Sequence, residues 1–265
     1  MPFEKVFIRG PLLIRGKNFL DESMQKQSSK GIMIGLTVIL LWTASLILFL
    51  STALASLPLY SIVAAMLVQT FLYTGLFITA HDGMHGLIAP RHKKMNRFMG
   101  TLCVILYALF SFKQLRSEHQ KHHAHPGSDD DPDFHDGEHR GFWAWYFHFL
   151  KTYVTWQQIA GMALAFNIML HILKIPQIKL ILFWVTPALL STLQLFYFGT
   201  YLPHREPAGG YDNPHRAESN DFSVFWSFVT CYHFGYHWEH HEFPYVPWWK
   251  LPAIRKQILQ KHIFN

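Results

Sequence analysis

Residues 34–57 read IGLTVILLWTASLILFLSTALASL, and after a single proline residues 59–85 read LYSIVAAMLVQTFLYTGLFITAHDGMH. Each apolar run matches the roughly 20 residues that an α-helix needs to cross a bilayer. The link at Pro58 is too short for a domain, so the two runs predict a transmembrane hairpin. The second run ends in His81-Asp-Gly-Met-His85, and two imidazoles four residues apart share a face if the helix continues.

A second pair of apolar runs, 158–175 and 180–202, flanks Lys174-Ile-Pro-Gln-Ile-Lys179 and predicts a second hairpin. Arg9, Arg15, Lys17, Lys26 and Lys30 precede the first run, and Arg91, Lys93, Lys94 and Arg97 follow the second. The positive-inside rule therefore puts the N-terminus and the ends of both hairpins in the cytoplasm. The apolar stretch 98–112 is too short for a full span, and is read with 142–153 and 222–234 as helix at or partly in the cytoplasmic interface. Pro247-Trp-Trp-Lys-Leu-Pro252 suits a headgroup anchor. No cleavable signal peptide, internal repeat or low-complexity segment is expected. The expected fold is all-α integral membrane, with four transmembrane helices in two hairpins, interfacial helices and a histidine-rich cap. Residues 1–33 form a cytoplasmic N-terminal segment, 34–253 one membrane domain and 254–265 a C-terminal tail.

Composition agrees. Half of the 265 residues are hydrophobic and only 15% are charged, lean for a soluble domain of this size. The excess of 23 basic over 17 acidic residues belongs to cytoplasmic loops, and no nucleic-acid surface is expected. Cys103 and Cys231 lie in or beside apolar runs without CxxC spacing, so neither a disulfide framework nor a cysteine metal site is implied.

The outlier is histidine, with 18 residues, most of them clustered. Besides His81 and His85 there are His119-Gln-Lys-His122-His123 and His237-Trp-Glu-His240-His241, and each cluster can aim two or three nitrogens at one centre. All three fall on the same side of the predicted membrane. Together they exceed the ligands that one four-coordinate metal can use, so two metals are implied; imidazole suits iron, zinc, copper and nickel, and ligand type does not choose among them. His204, just past the fourth run, is a further candidate ligand. Carboxylates able to accept the outer imidazole proton are Asp82, Glu118, Glu239, Glu242 and the run Asp129, Asp131 and Asp133, whose loop can fold back on His123 or His125. His125, His215 and His233 are read as supporting residues, with His233 able to share the face of His237. His92, His135, His139, His148, His171 and His262 are not assigned to the site.

Clusters of the forms HxxxH, HxxHH and HxxHH separated by hairpins resemble the membrane fatty-acid desaturase and hydroxylase superfamily. Four longer motifs, HDGMHG at 81–86, HHAHPGSDDDPD at 122–133, YFGTYLPHR at 197–205 and HWEHHEFPYVPWWKLP at 237–252, resemble those of the bacterial and cyanobacterial β-carotene ketolase family. The similarity runs over about 40–252; Gly83 and Ser128 depart from the alanine and threonine common there. The resemblance makes 34–253 a desaturase-like catalytic domain. It implies two iron ions held by His81, His85, His119, His122, His123, His237, His240 and His241, with His204 added; Asp82, Asp129, Asp131, Asp133, Glu239, His125 and His233 are the residues read above as supporting them. It also implies oxidation of the C4 methylene of β-ionone rings to a ketone, through echinenone to canthaxanthin. The partners implied are β-carotene and related carotenoids from the lipid membrane, O2, and a soluble electron donor of the ferredoxin kind. The aromatic stretches 195–198 and 222–236 are candidates for lining the substrate tunnel. Other oxygenases of the superfamily, a fatty-acyl desaturase or a ring hydroxylase, would share the metal site and differ in the tunnel. A transition-metal transporter is disfavoured, because the spans carry almost no ionisable group near their middle.

Overall fold

The computed structural model describes residues 12–263, with side chains from 27 to 260. These residues form helices and loops without a strand. The first hairpin is α1 (Leu12–Ser51) and α2 (Leu59–Met84). Of the expected N-terminal segment, residues 1–11 lie outside the described residues, and from Leu12 the chain is already helical. The chain continues through α3 (Lys93–Ala108), α4 (Phe112–Ala124), α5 (Phe142–Tyr153), α6 (Trp156–Asn167), α7 (Gln177–His204), α8 (Val224–Cys231), α9 (His237–Glu242) and α10 (Leu251–Ile263).

Three helical segments are long and apolar enough to cross a membrane: Gln27–Ser51, Leu59–Met84 and Gln177–His204. Their outward side chains suit lipid, since Leu40, Ile47, Leu48, Leu59 and Leu67 all stand exposed. The expected third run, 158–175, is the shorter α6 extended by a π-helical turn at Ile168–Ile172. Here too the apolar residues Ile159, Leu164 and Ile172 face outward.

The stretch 98–112, expected as helix at or partly in the interface, is divided by a bend. It is not one segment: α3 ends at Ala108, Leu109 takes a left-handed φ of 58°, and α4 leaves at 101° to α3. α3 runs back along α2, with the Asn96 amide donating to Gly83 O at 2.7 Å near its start and the Tyr107 ring 5.6 Å from Tyr73 near its end. At 1.5 Å per residue the two helices stay side by side for about 15 Å. The reason lies in its pattern: Met99, Gly100, Cys103, Val104 and Tyr107 form one buried face, and α2 covers it.

α2 is the central helix, and its C-terminal half, from Thr70 to Met84, is almost wholly buried. Packing there relies on small residues and on short polar contacts, as it does between helices in lipid. Thr74 Oγ1 lies 2.9 Å from Ser191 Oγ and 2.5 Å from Gln194 Oε1 of α7, and Tyr107 OH donates to Ser191 Oγ at 3.1 Å. Gly75 lets Tyr232 approach so closely that a Cβ there would sit 2.5 Å from the phenol oxygen and 3.1 Å from Val38 Cγ1. A Gly75→Val substitution is therefore expected to cost about 1–3 kcal/mol, measured as a lowered unfolding midpoint of the detergent-solubilised protein. An unchanged midpoint would contradict this close approach.

Candidate metal centre

The C-terminal end of α2, the second half of α4, the end of α7 and the short α9 converge at one end of the helices. There the ring nitrogens of His81, His85, His119 and His240 form one group, and those of His122, His204, His237 and His241 form a second, each within 4.8 Å of one another. The sequence clusters are thus interleaved. The first keeps both histidines in one group, but α4 sends His119 to one and His122 to the other, and α9 sends His240 to one and His237 and His241 to the other. The expectation that each cluster can aim two or three nitrogens at one centre holds for the first and, through His237 and His241, for the third, whereas the second is divided. The three- and four-residue spacings on one helix face also suit two centres lying side by side.

His123 belongs to neither group of four and lies between them, its Nε2 3.0 Å from His240 Nε2 and its ring stacked on His241 at 4.2 Å. His204 comes in beside His237, with Nε2 atoms 2.9 Å apart. Just before it, a π-helical turn at Tyr197–Tyr201 adds a residue to the helical repeat, a device common at functional sites. His148, on α5, and His171, in the π-helical turn that follows α6, join neither group.

The donor chemistry fits transition-metal ions. His122 Nδ1 donates to Asp131 Oδ1 at 2.9 Å and His204 Nδ1 donates to the Arg216 carbonyl at 2.8 Å. Each of these outer bonds fixes the tautomer, so both Nε2 lone pairs point inward. In the same group His241 Nε2 lies 3.1 Å from both His122 Nε2 and His237 Nε2. In the other, His85 and His119 present Nε2 atoms 2.8 Å apart, and His81 Nε2 is buried without a hydrogen-bond partner. Nitrogens bound at about 2.1 Å to one ion and 90° apart would be about 3.0 Å from each other, which matches these separations. Burial first, and then the neighbouring imidazoles, hold His237, His240 and His241 well below the ordinary imidazole range. They are neutral at pH 7 and can donate lone pairs.

The expected supporting residues divide. Asp131 accepts from His122 and also from the Gly127 amide at 2.7 Å. Burial alone would raise its carboxyl, but His122 and the backbone donors outweigh that and hold it below the ordinary carboxylate range. Asp133 lies 3.8 Å from His122 Nδ1 and instead accepts from Tyr153 OH; burial pushes its carboxyl up to about 6. Asp129 and His125 are exposed, because the loop turns on Ser128, whose hydroxyl donates to His125 O at 2.8 Å. Asp82 is buried with Oδ2 unpartnered and contacts no imidazole through it. Glu239 braces α9 rather than a ring, pairing with Arg255 at 2.8 Å and accepting from Ser219. His233 takes a left-handed φ of 61° after α8 and stacks on Tyr236 at 5.8 Å, apart from both groups.

Next to the histidines is a chamber of about 70 Å³, lined by His81, His119, His122 and His237 together with Phe77, Tyr107, Tyr153, Leu195 and Phe234. It shares Tyr107, Phe110, Leu150, Val154 and Thr192 with a wider apolar cleft of about 680 Å³ that opens between α6 and α7, where Ile159 and Leu189 are exposed. Of the two candidate aromatic stretches, Leu195 and Phe234 line the chamber, while Phe196 packs against Trp145 and Tyr146. Tyr107, Phe110, Phe149 and Tyr153 were not foreseen as lining. Their signal was aromatic density in segments read as interfacial.

The chain is 40% identical over 256 residues to a protein from Haematococcus lacustris named "Beta-carotene ketolase", covering 86% of this chain and 79% of that one. It is 43% identical over 195 residues to a "Beta-carotene ketolase" from Paracoccus sp. (strain N81106 / MBIC 01143), covering 73% and 78%. A "Zeaxanthin 4-ketolase" from Chlamydomonas reinhardtii is 39% identical over 239 residues, covering 85% of this chain and 53% of that one. Residues 56–262, which include every histidine of both groups, match the family model described as fatty acid desaturase, and the chain belongs to that family.

Proposed function

We propose that this chain is a membrane oxygenase that converts the C4 methylene of each β-ionone ring of β-carotene to a ketone, giving echinenone and then canthaxanthin. The observation that carries the reading is the pair of four-histidine groups at the inner end of an apolar cavity, in a chain about 40% identical to proteins named for that reaction. His81, His85, His119 and His240 would hold one iron ion and His122, His204, His237 and His241 the other, with His123 between them. When bound, the irons supply the activation of O2 that an unactivated C–H bond demands.

The rest follows from the protein's own groups. Asp131 and the Arg216 carbonyl take the Nδ1 protons of His122 and His204, which orients each ring with its Nε2 toward the metal position and makes that nitrogen a stronger donor. The apolar walls of the chamber orient a ring against the histidines and keep water away. A hydrocarbon substrate gains little by leaving lipid for this cleft, so selection rests on shape. In this reading the chain crosses the bilayer four times in two hairpins, its histidine-rich cap faces the cytoplasm, and a soluble donor of the ferredoxin kind supplies electrons there.

Expression in bacteria that accumulate β-carotene tests the function, with pigments separated by chromatography and identified by mass. Echinenone and canthaxanthin are expected; zeaxanthin would indicate a ring hydroxylase, and unchanged β-carotene beside folded, iron-loaded protein would sink the reading. Alanine at His122 or at His240 is expected to abolish ketone formation, and each to lower bound iron by removing a donor from a different group. Alanine at His148 or His171 should leave both intact, and full activity of the two cluster variants would defeat the metal assignment. Asp131→Asn keeps an acceptor but removes the charge behind His122, and is expected to weaken iron retention about 10- to 100-fold, read by chelator competition.

A further inference from the structure

The chamber beside the histidines is apolar except for a few hydroxyls and one carboxylate, and most of these are already engaged. Tyr107 OH donates to Ser191. Thr192 Oγ1 donates to Leu189 O at 2.7 Å and meets Tyr146 OH at 2.6 Å. What remains on the wall is Tyr153 with Asp133, and Thr200, whose hydroxyl has no hydrogen bond to a described residue.

Asp133 is not needed to orient a histidine. Asp131 already takes the His122 Nδ1 proton at 2.9 Å, whereas Asp133 lies 3.8 Å away. It is nevertheless held in place, because Trp145 Nε1 donates to its carbonyl at 2.8 Å and its own amide donates to Asp131 Oδ1 at 2.9 Å. Its carboxylate receives the Tyr153 proton, which leaves the buried phenol oxygen with a lone pair and no proton to give. Such an oxygen can accept from an alcohol but offers nothing to a ketone, which only accepts.

Resting on the function proposed above, we infer that Tyr153, oriented by Asp133, and Thr200 form a subsite for a secondary alcohol on the ring of an otherwise hydrocarbon substrate. Oxidising a methylene to a ketone passes through the alcohol. Each of two oxygenations consumes one O2, two electrons and two protons and releases one water. The resulting geminal diol then loses a third water as one of its C–O bonds breaks and the carbonyl forms. The subsite holds the alcohol with two hydrogen bonds, one accepted by Tyr153 and one donated by Thr200, and the ketone with the Thr200 bond alone, so the alcohol is retained between the two oxygenations. The same hydrogen bond would hold a ring that arrives already hydroxylated.

The test uses Tyr153→Phe and Thr200→Val, each checked for wild-type iron content and a monodisperse detergent-solubilised profile. In cells making β-carotene, wild-type protein should give ketones with little alcohol, and the variants should raise the alcohol-to-ketone ratio about 3- to 10-fold, the worth of one hydrogen bond. In cells making zeaxanthin, a fall of the same size in ketone yield relative to β-carotene would assign the subsite to a pre-existing hydroxyl. The second readout needs no turnover: 4-hydroxy-β-ionone should bind the iron-loaded protein, without reductant, about 3- to 10-fold more tightly than β-ionone, followed by tryptophan fluorescence. If one variant fails to fold, the other and the wild-type affinity ratio still decide. Wild-type ketone formation with unaltered product and affinity ratios in the variants overturns the inference. Absence of ketone from the wild type overturns the underlying function instead.

Discussion

The constraint on which the rest depends is the burial of so many neutral imidazoles at one point. A lone pair turned inward toward another lone pair is unfavourable, and removing either from water makes it more so. Bringing nitrogens from α2, α4, α7 and α9 to within about 3 Å therefore requires outer partners that decide where each proton sits, and a positive ion to which the inner nitrogens can donate. Asp131 and the Arg216 carbonyl meet the first requirement for His122 and His204. The helices meet a third, which is rigidity. The polar contacts of Thr74, Ser191 and Gln194 lock α2 to α7, and the Arg255–Glu239 pair ties α9 to α10.

Much of this was legible in the sequence. The hairpin of α1 and α2 follows from two runs of bilayer length around Pro58, and the histidine spacings declare which residues gather. His204 could be added because it stands where a predicted span ends. The interleaving of the two groups was not legible, since three- and four-residue separations suit one centre or two neighbouring ones equally. Nor was the path of α3. Its apolar residues are too few for a span and too regular for a loop, and only the tertiary partner, α2, decides that they pack rather than float. Among the carboxylates, the sequence presents Asp129, Asp131 and Asp133 as equivalents. The turn at Ser128 separates them, sending the first to solvent, the second to His122 and the third to Tyr153.

Lipid-facing helices and a buried polar centre make opposite demands on one chain, and α7 shows how both are met. Its outward face carries Leu189 to the lipid side, its inward face carries Ser191 and Gln194 to the polar seam, and its last turns change pitch before His204. Gly199 within that turn admits the Phe234 ring, which a Cβ would meet at 2.2 Å, and Phe234 in turn lies against His81 and His237.

The chamber ends at the histidines and continues into the cleft between α6 and α7. A long molecule with a reactive ring at each tip can therefore seat one tip at a time, with its remainder threaded back through the cleft toward lipid. Reaching the second tip along that cleft means withdrawing and re-entering end for end, which makes the molecule modified at one end a released intermediate. The balance between singly and doubly modified pigment is then governed by diffusion in the membrane and by how much unmodified substrate competes for the same doorway.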